Sequence, residues 1–265
     1  MYKKSLLLCG LLSYSLAAIA AGESTPQLTT TAYSSFQKFD RQLNLGIGIT
    51  SGKLTNGNSD AVNSSQFINL EIERLFDIGV WFDLNASLMT YYSQGQDPAF
   101  TSATVVNGAQ PSFGGINLKL GYAFPLIRER LLITSYAQFG RATNLSSYTM
   151  YANTPVTNIT QDYFLSSGIG ARLEYRLSPV IELYLDQNAL YNASQAPTAA
   201  GLPTNDNYSY TSLVGAKFNL YQSLQLGILG FYNNYYYPNS LKTTSGAVLV
   251  PQNTTGGLIS IGFVY

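Results

Sequence analysis

Eleven charged side chains recur at alternate positions of extended segments: Glu71, Glu73, Asp83, Lys119, Arg130, Arg172, Glu174, Arg176, Glu182, Asp186 and Lys217. Side chains two apart on a strand share a face, so Glu71 with Glu73, and Arg172 with Glu174 and Arg176, would project together. Six acids and five bases on one surface support two kinds of chemistry. Paired and hydrogen-bonded, they fill an interior; left in water, they line or gate a narrow channel. Carboxylate pairs also hydrolyse glycosides, but these would lie inside a narrow enclosure. The chain has no histidine, the side chain whose ordinary pKa suits proton transfer near neutral pH. Its single cysteine, Cys9, falls in an apolar leader, and without His or thiol there is no transition-metal site. The expectation is therefore a protein that is not an enzyme and has no cofactor and no metal.

The elements that would position these charges are strands. Period-two alternation bounded by turn residues predicts ten, at Arg41–Thr50, Phe67–Phe76, Val80–Tyr92, Gly115–Phe124, Arg130–Arg141, Tyr163–Leu177, Val180–Tyr191, Tyr208–Leu220, Leu224–Tyr236 and Gly256–Tyr265. Each is near the ~9–11 residues that cross a bilayer at a tilt. Their connections alternate without exception. Asp77 to Gly79, Pro125 to Glu129, Ser178-Pro179 and Tyr221 to Ser223 are tight. Ser51–Gln66, Ser93–Gly114, Ala142–Asp162, Asn192–Asn207 and Tyr237–Thr255 are long and rich in Ser, Thr, Asn, Gly and Pro. An all-β fold follows: a closed antiparallel up-and-down transmembrane β-barrel of about ten strands, or twelve if Leu28–Phe36 or a long loop adds strands. Short turns and both termini would lie in the periplasm, long loops outside. A soluble sandwich has no reason to sort its loops this way.

Face assignments agree. Leu43, Leu45, Ile47 and Ile49 would face lipid, with Asn44, Gly46 and Gly48 inward. Ile169, Ala171, Leu173 and Tyr175 oppose Arg172, Glu174 and Arg176 in the same way. Aromatics gather near strand ends, with Phe76, Trp81, Phe82, Tyr122, Phe124 and Tyr175 at one interface and Tyr91, Tyr163, Tyr191, Tyr208 and Tyr236 at the other. Charged residues make up 11% of the chain, under half the ~25% of soluble domains. That suits an outer band in hydrocarbon.

The ends complete the plan. Lys3 and Lys4, then Ser5 to Ile19 and the small residues to Ala20, read as a signal peptide over 1–20. Residues 21–40 form an N-terminal periplasmic segment whose Leu28–Phe36 would be an extra strand, a tail or a segment entering the lumen. The barrel occupies 41–265. Once Lys3 and Lys4 are cleaved away, the chain is about neutral, which argues against nucleic-acid binding. At the other terminus Ile259, Ile261, Phe263 and Tyr265 share one face of the last strand.

A strand of this kind ending on an aromatic residue resembles the closing strand of bacterial outer-membrane β-barrels, and the whole mature chain resembles the small opacity-type or porin-like members through pattern and topology. The resemblance implies export, a Gram-negative outer-membrane location, contact with outer-membrane lipid and lipopolysaccharide, and insertion by the barrel-assembly machinery, with Ile259, Ile261, Phe263 and Tyr265 as the strand it reads. The near balance of acids and bases, in a barrel little wider than one just filled by side chains, favours a plugged lumen. The expected function is a non-enzymatic surface protein that presents loops to a host or other surface ligand. Gly52 to Asn58 and Thr243–Val250 would be loop tips that contact a host surface, or extensions of the barrel hairpins above the membrane. The alternative is a narrow porin-like channel for small solutes or ions.

Overall fold

The computed structural model describes residues 33–55, 60–94, 107–108, 112–144, 148–151, 162–194, 206–221, 223–236 and 246–265. The stretch 1–20 expected as a signal peptide, and Leu28 to Ala32, lie outside the described residues. Among the described residues one helical turn, α1 (Ser34–Gln37), precedes twelve strands: β1 Arg41–Thr55, β2 Asp60–Leu75, β3 Val80–Gln94, β4 Asn107–Gly108, β5 Ser112–Ile127, β6 Leu131–Asn144, β7 Tyr148–Tyr151, β8 Asp162–Ser178, β9 Ile181–Ser194, β10 Asn207–Tyr221, β11 Leu224–Tyr236 and β12 Gly246–Val264.

Ten of these strands, all but the short β4 and β7, follow one another as antiparallel neighbours, and β12 pairs back onto β1. Closure runs from Gln42 opposite Val264 to Thr55 opposite Val250. The barrel therefore has no free edge along this seam, and its backbone groups are paired internally. The alternation read from sequence is the cause: each wall strand carries one apolar and one small or polar face, and only a closed ring separates them completely. Ile47, Ile169 and Phe263 on the exterior are 72%, 61% and 60% exposed. Asn69, Glu73, Thr134, Glu174 and Gln225 on the interior are buried. Polarity is inverted relative to a water-soluble domain.

Both described ends of the wall, Arg41 and Val264, lie with the tight turns at one end of the barrel, here the turn end. The β2–β3 turn is closed by hydrogen bonds from Phe76 N–H to the Val80 carbonyl (2.8 Å) and from Gly79 N–H to the Phe76 carbonyl (2.9 Å). Gly79 has φ +84°, a conformation that costs L side chains. A Cβ there would also stand 2.6 Å from the Tyr33 hydroxyl.

At the opposite, loop end the strands run further than their sequence pattern suggested. Ser51–Gln66, expected as a loop, is largely a continuation of the β1–β2 ladder, which pairs as far as Thr55 with Asp60. Antiparallel backbone pairing satisfies itself, so it continues past the apolar band wherever the residues tolerate water on both faces. β12 likewise begins at Gly246, and Gly246 to Leu249 pair with β7. β7 leaves the wall between β6 and β8, which stand across the ring from β12 and β1. That short ladder pairs a segment from one side of the ring with the start of a strand on the other.

Candidate functional site: a charged lumen at the turn end

Residues 33–40 turn into the barrel mouth at the turn end. α1 is too short to hold itself, and its surroundings hold it. Leu75 N–H donates to the Asp40 carbonyl at 2.7 Å. Gln37 Nε2 donates to Asp77 Oδ1 at 2.6 Å. Asn219 Nδ2 and Gln225 Nε2 donate to the carbonyls of Lys38 and Phe39. Of the three courses open to this segment in sequence, its described part enters the lumen. Tyr33 and Phe36 pack there against Leu75, Trp81, Ala123, Leu132 and Tyr136, an apolar cluster inside the ring. The Tyr33 hydroxyl donates to the Ala123 carbonyl at 3.0 Å. Burial pushes this phenol above its ordinary pKa, and Tyr122 beside it adds to the rise.

Directly above lie the charges. Glu73 is the hub: its Oε1 accepts from Arg172 Nη1 (2.7 Å) and Trp81 Nε1 (3.0 Å), and its Oε2 from Gln42 Nε2 (2.6 Å) and Lys217 Nζ (2.7 Å). Lys217 also donates to Asp40 Oδ1 at 2.5 Å and stands 3.7 Å from Glu182 Oε1. Arg172 Nε lies 2.7 Å from Glu174 Oε1, but as a charge contact without hydrogen-bond geometry, and neither atom has another partner. A second group forms on β3, β5, β6 and β9. Lys119 Nζ sits 2.9 Å from Asp186 and 3.4 Å from Asp83, and Tyr136 donates its hydroxyl proton to Asp186. The cations are cushioned by rings, with Arg172 Cζ 4.3 Å from the Tyr184 centroid and 5.5 Å from that of Trp81.

Of the eleven charged residues singled out in sequence, Glu73, Asp83, Lys119, Arg172, Glu174, Glu182, Asp186 and Lys217 meet here. Glu71 also faces inward, accepting from Asn44 Nδ2 at 2.8 Å. Arg130 does not join: it lies exposed beyond the start of β6, because that strand begins one residue later than its pattern implied. Arg176 stays at the rim, 3.7 Å from the exposed Glu129. Sequence reading missed Asp40, which belongs to the entering segment. It also placed Trp81 with the interfacial aromatics, whereas Trp81 is fully buried in the lumen. The signal existed, since Trp81 shares its parity with Asp83, as Tyr184 does with Glu182 and Asp186. The consequence is electrostatic. With Arg130 outside, Arg176 at the rim and Asp40 inside, acids outnumber bases in the lumen among the described residues.

Towards the loop end the interior changes character. Asn188 donates to Gln138 (3.2 Å), Ser166 to Asn192 (2.6 Å), and Asn192 to Asn207 and Ser209 (2.8 and 2.9 Å). Over the inner face of β1 and β12, Phe67 from β2 and Phe231 from β11 meet with tilted rings, their centroids 6.4 Å apart. Their rings occupy the space that a side chain at Gly48 or Gly256 would need.

On the terminal strand Ile259, Ile261, Phe263 and Tyr265 are exposed outward, each of the first three paired with β1 and β11.

No protein-family model matches the chain, and no curated protein matches it in sequence. Its backbone is similar to the β domain of the Bordetella autotransporter BrkA, with a TM-score of 0.50 and 12% identity over 85% of this chain and 100% of that one. It is also similar to the translocator domain of autotransporter NalP from Neisseria meningitidis (TM-score 0.42, 10% identity, 99% of this chain and 98% of that one). The outer-membrane protease OmpT from Escherichia coli gives 0.41, 11%, 84% and 97% in the same order. A closed ten-strand barrel with an apolar exterior and a charged interior is built to sit in a bilayer, and the chain has the fold of the bacterial outer-membrane β-barrels, with the outer membrane as its location.

Proposed function

We propose that the chain is a non-enzymatic surface barrel, sealed on the periplasmic side by its own N-terminal segment and presenting its long loops outside for adhesion or other surface interactions. One observation carries the reading. Tyr33, Phe36, Phe39 and Asp40, at 1% exposure or less, fill the turn-end mouth together with Trp81 and the Glu73 network. Catalysis fits poorly there. The carboxylates are committed to cations or shut away from any substrate, and the chain has no histidine to move a proton.

Planar-bilayer recording tests the seal. The full mature chain is expected to give no steady openings, and a variant lacking Tyr33 to Asp40 is expected to conduct. Steady openings of the unaltered protein would sink the sealed reading. They would favour the runner-up, a narrow channel, and the excess of acids inside would then make it cation-selective. Loop presentation has its own test: removal of Ser93–Gly114, most of which lies outside the described residues, or of Thr243–Val250, whose Gly246 to Val250 begin β12, should abolish surface attachment of expressing cells. Unchanged attachment counts against it.

Two partners belong to the same proposal. Lipopolysaccharide would surround the exposed loop-end aromatics such as Tyr191 and Tyr208; purified barrel that retains none after extraction from membranes would count against this. The assembly machinery would read Ile259, Ile261, Phe263 and Tyr265 before the seam closes. Phe263→Ser should lower the amount of assembled barrel several-fold in cells while leaving refolding in detergent intact, and equal loss in both settings would mean a packing defect instead.

A further inference from the structure

The turn-end network holds more negative charge than its cations cover. Asp40, Glu73, Glu174 and Glu182 are each 0% exposed. Among the described residues, the cations within ion-pair distance of them are Arg172 and Lys217. Arg176 stands opposite Glu182 in the β8–β9 register, but its guanidinium lies by Glu129 at the rim. Two negative charges are left without a counter-charge in a dry interior, where buried charge persists only when paired.

The uncovered charge is localised. Asp40, Glu174 and Glu182 each offer a carboxylate oxygen, and the three lie within 4.8 Å of one another. Asp40 Oδ2 and both oxygens of Glu174 and of Glu182 accept no hydrogen bond. Three fully buried carboxylates thus converge with unused oxygens, when mutual repulsion should drive them apart. Oxygens on opposite sides of a calcium ion stand about 4.6–5.2 Å apart, so one ion bridges such a set. An all-oxygen, all-anionic donor set selects a hard cation over a transition metal.

We propose that Asp40, Glu174 and Glu182 bind one divalent cation of the calcium type, which clamps the N-terminal segment to β8 and β9. Asp40 comes from the entering segment and the other two from the wall, so the ion would lock the seal in place. This goes beyond the sealed-barrel reading and does not need it, because a conducting barrel could bind the ion equally well.

The test uses the full mature chain purified in detergent, stripped with EDTA during unfolding and refolded with or without metal. Trp81, the single tryptophan, contacts Arg172, which contacts Glu174. It is therefore a near donor for luminescence of Tb³⁺ standing in for Ca²⁺. Saturable emission at one ion per chain is expected, displaced by Ca²⁺ and more weakly by Mg²⁺. Glu182→Gln and Glu174→Gln should each weaken Tb³⁺ binding at least tenfold, and Glu129→Gln on the rim should leave it unchanged. Protein refolded without metal should be cleaved faster by protease ahead of Arg41. If the two interior variants bind Tb³⁺ as the unaltered chain does, the emission comes from surface acids and the proposal is overturned. It is equally overturned if no metal binds and infrared spectra show protonated carboxylic acids that Glu182→Gln removes, since protons then balance the charge. Should either variant fail to fold, metal content and displacement on the unaltered chain decide alone.

Discussion

The two halves of the lumen are enclosed by the same strands and obey the same alternation, yet they are filled by different chemistry. At the turn end, ions and large rings interlock around Glu73, and one residue serves four partners. At the loop end, amides and hydroxyls such as Asn188 with Gln138, or Ser166 with Asn192, bond in small groups. An ion in a dry interior must be satisfied by several groups at once, so charged half-lumens become single cooperative units. A neutral amide needs one or two partners, and near the open end water can replace a lost one. The comparison says where this barrel is brittle. It also explains why the seal and the charges occupy the same end: the entering segment supplies both the rings that exclude water and Asp40, which the network binds.

The sharpest way to break this picture is Arg172→Ala. It removes the cationic partner of Glu73 Oε1 and the neighbour of Glu174 while both acids stay buried, and should destabilise the barrel by about 3–5 kcal/mol. Urea titration of refolded protein in lipid vesicles, followed through Trp81 fluorescence, measures it. Arg172→Met keeps the volume and leaves the same acids unpaired, so it should recover little. A loss below 1 kcal/mol would mean that water reaches these acids and the turn end is not dry.

Trp81→Phe asks how much of the unit depends on one neutral donor. The ring volume is mostly kept, and the Nε1 hydrogen bond to Glu73 is lost. A bond to a charged group is worth about 1.5–3 kcal/mol, and the cost should fall in that range, monitored by tyrosine circular dichroism because the fluorophore is gone. Near-zero cost would show that Arg172 alone satisfies Glu73 Oε1.

Wall and lumen differ in how far sequence could reveal them. The ten wall strands and their order were legible, and so was the facing of the cleanest of them, because a bilayer outside and side chains inside impose a period of two, as Leu43 to Ile49 and Ile169 to Tyr175 show. The lumen's inventory followed by parity for Glu73, Arg172 and Lys217. It failed at Arg130, where a one-residue difference at a strand start moves a side chain out of the wall altogether. It failed again at Trp81, because an aromatic near a strand end is ordinarily interfacial and only its parity with Asp83 says otherwise. Asp40 was out of reach: a segment with no period of its own enters the lumen because complementary groups wait there, and pattern along one chain does not record that.

The smallest expected effect is the one that tests the loop half. Asn192→Ala deletes an acceptor for Ser166 and a donor to Asn207 and Ser209, three bonds where Trp81→Phe deletes one. Counting bonds alone, it should be the costlier change. The chemistry of the two halves predicts the reverse. Asn207 and Ser209 lie at the start of β10 beside the loop end, so water can enter the vacated space and re-pair the hydroxyls and the amide. The cost should be about 1 kcal/mol, the net worth of an ordinary neutral bond, rather than the sum of three desolvated ones. The same urea titration measures it. If Asn192→Ala instead approaches Arg172→Ala, the amide layer is as dry and as cooperative as the charged one. The barrel would then be a single filled core from end to end, with no brittle half to distinguish.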